Sequence, residues 1–137
     1  MRITSAALAQ IVAHALRDDP DECCGVLGVR DGTVVSVHEL ENALNGPKPL
    51  GFEIASRDLL RVHNAIEDDD AELGVIYHSH TRSAPYPSQT DINFAAGWPG
   101  VEWLIVGTKS VPPGEPEIRS YLIDGATITE VAVDVVD

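Results

Sequence analysis

At 137 residues the chain is long enough for one domain with a sizeable core, and its 44% apolar content argues against disorder. A formal charge of −13 disfavours nucleic acid and anionic membranes as partners, because phosphates would be repelled. The acidity is compatible with a basic protein partner, although solubility alone accounts for it. Met1 to Leu16 lacks a cationic start followed by a long apolar run, so no signal peptide is expected, and no stretch approaches membrane-spanning length. The only cysteines, Cys23 and Cys24, are adjacent; such pairs seldom form disulfides, and two thiols cannot build a Cys-rich structural zinc site. A reducing, cytoplasmic setting is expected.

Thr4 to Arg17 reads as a helix capped by Thr4, with Leu8, Ile11, Val12, Ala15 and Leu16 as its apolar stripe. Asp18-Asp19-Pro20-Asp21 stops it. Cys23 to Val29 and Thr33 to Leu40 read as paired strands around the hairpin signal Asp31-Gly32. Asn45 to Gly51 is a loop. Ser56 to Glu67 reads as a second helix with Ser56 as candidate cap, and the acidic run Asp68 to Asp70 frays its end. Leu73 to His80 is a strand, Ser88 to Ala96 a short helix, and Val101 to Val106 a buried strand. A turn-rich loop spans 112–116. Ile118 to Ile123 and Thr127 to Val135 form a closing hairpin around Asp124-Gly125. No repeat and no linker is visible. The order predicts an α/β mixed sheet with helices on its faces, in a single domain spanning 1–137.

The chemistry concentrates between Val75 and Asp91. Val75-Ile76-Tyr77 is β-prone, so His78 and His80 sit at a strand end, two apart and on one face. Arg82 to Pro87 holds two prolines and reads as a loop. Ser88 reads as a helix N-cap, with Asp91 three residues on in the first turn. Folding that helix end back on the strand brings two imidazoles and a carboxylate together. Such a set, with one open position, describes a hydrolytic zinc site. Ser88-x-x-Asp91 is also a capping-box signal that needs no metal. A hydrolytic site needs a proton acceptor as well, and Glu22, opening the first strand, could reach it if that strand lies beside the histidine strand. Taken alone, Glu22 is an ordinary surface charge.

Glu22, His78-x-His80, Ser88 and Asp91 at these spacings resemble the JAMM motif of MPN-domain (MPN+) metalloproteases. The stretch Glu22-x-Cys24-Gly25-Val26-Leu27 is similar to that family's first block, and Asn42 and Phe52 sit where the family tends to carry such residues. The likeness covers nearly the whole chain and is strongest to the short bacterial Mec-type hydrolases. It implies a cytidine-deaminase-like MPN fold with helices on a central mixed sheet. It implies one zinc ion (Zn2+) held by His78, His80 and Asp91 with water in the fourth position. Glu22 would be the general base and acid, and Ser88 the oxyanion donor. The implied substrate is an amide or isopeptide bond after the C-terminal Gly-Gly of a ubiquitin-like sulfur-carrier protein, for example a carrier-cysteine adduct.

Tyr77, Arg82 and Tyr86 are candidate groove residues or plain surface and packing. Cys23 is either core packing or a thiol near the zinc. His14, His38 and His63 read as structural or surface residues. No long insertion follows Asp91, which argues against linkage-selective deubiquitination. The alternatives are removal of ubiquitin-like proteins from protein conjugates, a non-catalytic MPN scaffold, and a DNA-associated protein of RadC type, which the acidity disfavours. A nucleobase deaminase lacks its H-x-E and P-C-x-x-C elements here. MPN folds often pair, so a homodimer is a further expectation.

Overall fold

The computed structural model describes residues 1–109 and 115–137. Asp31 and Gly32 take φ of 52° and 77°, the paired positive values of a tight hairpin turn. They join β2 (Cys24–Arg30) to β3 (Thr33–Leu40) in antiparallel register. On the other flank of β2 lies β4 (Glu72–His80), also antiparallel, with Cys24 opposite His78 and Val26 opposite Ile76. β5 (Glu102–Gly107) runs parallel to β4, and β6 (Glu117–Asp124) and β7 (Thr127–Val131) continue antiparallel. β1 (Arg2–Thr4) and β8 (Asp134–Val136) complete one mixed eight-stranded sheet in the order β7-β6-β5-β4-β2-β3-β1-β8. The predicted mixed α/β architecture is therefore present, with the histidine strand in the middle of the sheet.

Side-chain alternation divides the core in two. On one face α1 (Ser5–Asp18) lays Ile11 and Ala15 against Leu27, Val75, Tyr77 and Leu104. On the other, α2 (Ser56–Asp68) and α3 (Gln89–Ala95) cover Cys24, Val26, Ile76, Trp103 and Ile105. α1 starts as expected, with Thr4 Oγ1 accepting from the Ala7 amide at 3.1 Å. α2 does not: its cap is Ala55, with no side-chain bond, and Ser56 is its first helical residue. The buried pair Val62 and Ile66 anchors α2 instead, contributing about 3–6 kcal/mol against about 1 kcal/mol for a cap.

Three further expectations need correction. β1 is a three-residue strand that joins the sheet by parallel pairing with β3 and β8, so local sequence does not announce it. The last strand is not continuous to Val135 but breaks after Val131, and β8 crosses to the opposite edge of the sheet. Leu16 is exposed while His14 is buried, because Tyr77 offers His14 a hydrogen bond inside. The 112–116 loop falls mostly outside the described residues.

Candidate metal centre and active site

His78 and His80 point from β4 to the α2/α3 side, one pleat apart. Both are buried, His78 completely. After β4 the chain loops back so that α3 begins beneath them. Ser88 caps α3: its Oγ accepts from the Asp91 amide at 3.1 Å, and its own amide donates to Asp91 Oδ2 at 2.9 Å. This is the reciprocal capping box anticipated from the sequence. The same Oδ2 lies 3.1 Å from His78 Nε2 and 3.2 Å from His80 Nε2, and the two nitrogens are 3.1 Å apart. Capping and convergence on the histidines are thus two uses of one carboxylate.

The hydrogen inventory of this triangle shows what it lacks. His80 Nδ1 is 3.0 Å from the Ala84 carbonyl, which can only accept, so Nδ1 carries the hydrogen. Neutral His80 then presents a lone pair at Nε2, facing a carboxylate oxygen. That contact is repulsive unless a cation joins it, either a second proton on His80 or a metal ion. The direction of titration agrees. For His80 burial acts downward but is outweighed by the hydrogen bonds to Asp91 and Ala84, so the ring holds a proton above its ordinary value. Burial lowers His78. Burial would raise Asp91, but the two imidazoles hold its carboxyl well below the usual range.

A divalent ion fits the same atoms. Tetrahedral coordination with bonds of about 2.0–2.1 Å sets ligands about 3.3 Å apart. The observed edges of 3.1, 3.1 and 3.2 Å come close to that spacing before any adjustment. Phe52 stacks on the His78 ring at 4.6 Å and 25°, and Trp103 meets it edge-on at 6.4 Å, so packing fixes its orientation. His78 Nδ1 has no hydrogen-bond partner among the described residues.

Glu22 lies two residues ahead of β2, short of the strand that it was expected to open. The Cys24–His78 pairing continues through the Ser79 amide bonded to the Cys23 carbonyl at 3.2 Å, which sets Glu22 across from His80. A Glu22 carboxylate oxygen and one nitrogen of each histidine lie within 4.8 Å of one another. Burial pushes the Glu22 carboxyl up to about 8, more than His80 pulls it down. Its backbone is pinned: the amide donates to Lys48 O at 2.9 Å, and the carbonyl accepts from Asn42 Nδ2 at 2.9 Å. Asn42 also bonds Gly51, Leu44 and Glu53, so one side chain ties the 42–53 loop to the general-base candidate.

All five candidate residues, Glu22, His78, His80, Ser88 and Asp91, therefore converge. Glu22, His80, Ser88 and Asp91 border one cavity of about 320 Å³, which Leu50, Phe52, Arg82 and Thr90 also line. Of the other groove candidates, Tyr86 is exposed outside the cavity lining. Tyr77 is not a groove residue at all. It is fully buried on the α1 face, bonded to His14. Cys23 shares that face, away from the histidines, whereas Cys24 lies on theirs. Burial pushes both thiols up to about 12, so neither is a ready thiolate. His38 and His63 bond locally to Ser36 and Glu67. The family likeness singled out Asn42 and Phe52 without giving them a role, and Ala84 was not singled out at all. Their signal lies in the loops that return to the site.

Residues 4–124 match the family described as prokaryotic homologs of the JAB domain. A CysO-cysteine peptidase of Mycobacterium tuberculosis is 39% identical over 127 residues, covering 93% of this chain and 85% of its own. A desampylase of Haloferax volcanii is 37% identical over 141 residues, covering 97% of both chains. A JAB1/MPN domain protein from Archaeoglobus fulgidus superposes with a TM-score of 0.65 over 100% of each chain at 19% identity, a likeness of fold. Among the described residues no helix is long and apolar enough to cross a membrane. The chain belongs to the prokaryotic JAB-domain family, and with its peptidase relatives it is a hydrolase of the JAMM type.

Proposed function

We propose that this hydrolase is a zinc enzyme that cleaves the amide bond after the C-terminal Gly-Gly of a ubiquitin-like sulfur-carrier protein, releasing cysteine from a carrier adduct. The observation that carries the chemistry is the Nε2–Nε2–Oδ2 triangle with edges of 3.1 to 3.2 Å, a few ångströms from a buried carboxyl. The substrate class rests on the relative whose name is CysO-cysteine peptidase. His78 Nε2, His80 Nε2 and Asp91 Oδ2 are the ligands in this reading. A zinc ion held there would supply Lewis acidity, bringing water into the range where it loses a proton near pH 7.

Glu22 takes that proton and delivers it to the departing amine, so that OH ends on the glycine carbonyl carbon and H on the nitrogen. Glu22 must be ionised to take the proton; burial works against that form and raises its carboxyl to about 8, while a cation between the histidines would favour it. Ser88 Oγ already accepts from the Asp91 amide, which leaves its O–H to donate to the carbonyl oxygen as charge develops there. The cavity wall of Leu50, Gly51 and Phe52 suits a thin glycine tail. The free, buried cysteines suit a cytoplasmic setting.

The test is intact-mass analysis of a carrier-cysteine adduct incubated with zinc-loaded enzyme. Cleavage after Gly-Gly is expected, with Glu22→Gln slower by about 10²–10⁴-fold at unchanged zinc content. An untouched adduct would remove the substrate assignment. The likeness to a desampylase favours a second reading, removal of ubiquitin-like proteins from protein conjugates. Cleavage of a lysine isopeptide in preference to the adduct would select it.

A further inference from the structure

The cavity beside the metal centre is lined by two acids, Glu22 and Asp91, and by one residue with a permanent positive charge, Arg82. Most other arginines of the chain are engaged: Arg17 with Glu39, Arg30 with Asp69, Arg61 with Asp58, and Arg119 with Glu117 and Glu130. The Arg82 guanidinium has no ion pair or hydrogen bond among the described residues, and the residue is exposed. Its backbone is nevertheless held on both sides. Thr81 Oγ1 donates to the Pro20 carbonyl at 2.9 Å and to that of Pro49 at 3.3 Å. The Ala84 carbonyl is fixed by His80 Nδ1, and the Arg82 carbonyl accepts from Lys109 Nζ at 3.4 Å. An anchored backbone carrying an unpaired fork of donors, two residues beyond a candidate metal ligand, is the arrangement of a receptor for a planar anion.

We infer that Arg82 is a specificity-determining residue that binds the free α-carboxylate of the leaving amino acid. The inference rests on the amide-hydrolase reading above and adds what lies on the leaving-group side of the bond. A single amino acid joined to Gly-Gly carries its carboxylate two bonds from the scissile nitrogen, and next to Glu22 and Asp91 that carboxylate needs a cation. A lysine in a protein conjugate, joined through Nζ, has only its Cδ methylene at the equivalent position and leaves Arg82 unpaired. The residue therefore discriminates release of one amino acid from removal of a whole protein.

The probe is a ubiquitin-fold protein ending in Gly-Gly-Cys, prepared as the C-terminal acid and as the C-terminal amide. Both are offered to zinc-loaded wild type, Arg82→Ala and Arg82→Lys, and kcat/KM is read by intact mass. Wild type is expected to favour the acid by about tenfold to a hundredfold, the size of a lost charge-assisted pair. In Arg82→Ala the acid-to-amide ratio should fall to near one, and Arg82→Lys should recover part of it. A ratio near one in wild type, or a ratio unchanged by Arg82→Ala at equal zinc content, would overturn the inference and leave the hydrolase reading standing. Failure of wild type to cleave either form would overturn both.

Discussion

The two faces of β4 each bury a histidine beside a carboxylate, and the two clusters differ in one respect. On the α1 face His14 Nδ1 meets the Tyr77 hydroxyl at 2.7 Å and His14 Nε2 meets Asp18 Oδ2 at 3.3 Å. Neutral His14 gives one hydrogen to Asp18 and accepts one from Tyr77, so every polar atom is matched within the protein. Desolvation leads the effects on His14 and lowers it, in keeping with that neutral form. On the α3 face the contact of His80 Nε2 with Asp91 Oδ2 is matched only by a cation, a second proton on His80 or a metal ion. A buried histidine beside an acid is therefore not by itself a sign of function. The sign is a hydrogen inventory that closes only with an added cation.

The contrast breaks most sharply at the ligands. His78→Ala or Asp91→Asn should abolish stable zinc retention and reduce hydrolysis to background, as read by metal analysis of the dialysed protein and by a turnover assay. Full metal content in either variant would show that the triangle is not the centre. The opposite face predicts a different loss. Tyr77→Phe removes the partner of His14 and should destabilise the fold by about 1–3 kcal/mol in denaturant titration, while zinc content stays intact. Glycine at position 25 sits across from this ring, where a Cβ would collide with the Tyr77 phenol, so the closed cluster has no room to rearrange.

The smallest effect is one of pH. Glu22 binds its proton more tightly folded, up to about 8, than unfolded, near 4.5. Between those values the native state holds more protons than the unfolded chain, so metal-free protein should lose stability as pH rises through the window. Glu22→Gln lacks that loss. Chelated wild type and variant, compared by denaturant titration at about pH 5 and about pH 8, should diverge by about 1–2 kcal/mol in favour of the variant at the higher pH, allowing for screening by cavity water. Parallel curves would place the Glu22 carboxyl in a wetter setting than its burial indicates.

Much of the site was legible because its spacing is local. Period two put His78 and His80 on one face, and the cap signal at Ser88 placed Asp91 in the first turn. The hairpin turn at Asp31-Gly32 followed from turn chemistry, whereas the flank of β2 against β4 was only a condition for Glu22 to reach the site, which the structure meets. What was hidden depends on register and on return loops. Cys24 rather than Cys23 shares the face of His78, which only the pairing across β2 and β4 decides. Tyr77 looked like a groove residue by its closeness to His78 in sequence, yet alternation sends it to the other side. Asn42 and Phe52 act across 20 and 26 residues of chain, so neither their type nor their neighbours reveals their contacts. β1 and the break before β8 are settled by one another at the sheet edge, beyond the reach of any local pattern.

Asp91 Oδ2 is at once the acceptor for the amide of Ser88, the N-cap of α3, and the oxygen that faces both imidazoles. α3 has only seven residues, too few to persist on their own turns. Whatever cation settles between the histidines therefore also fastens the start of that helix. Removing the ion should quicken amide hydrogen exchange from Gln89 to Ala95 before it is felt anywhere in the central strands, so that the helix registers whether the centre is charged.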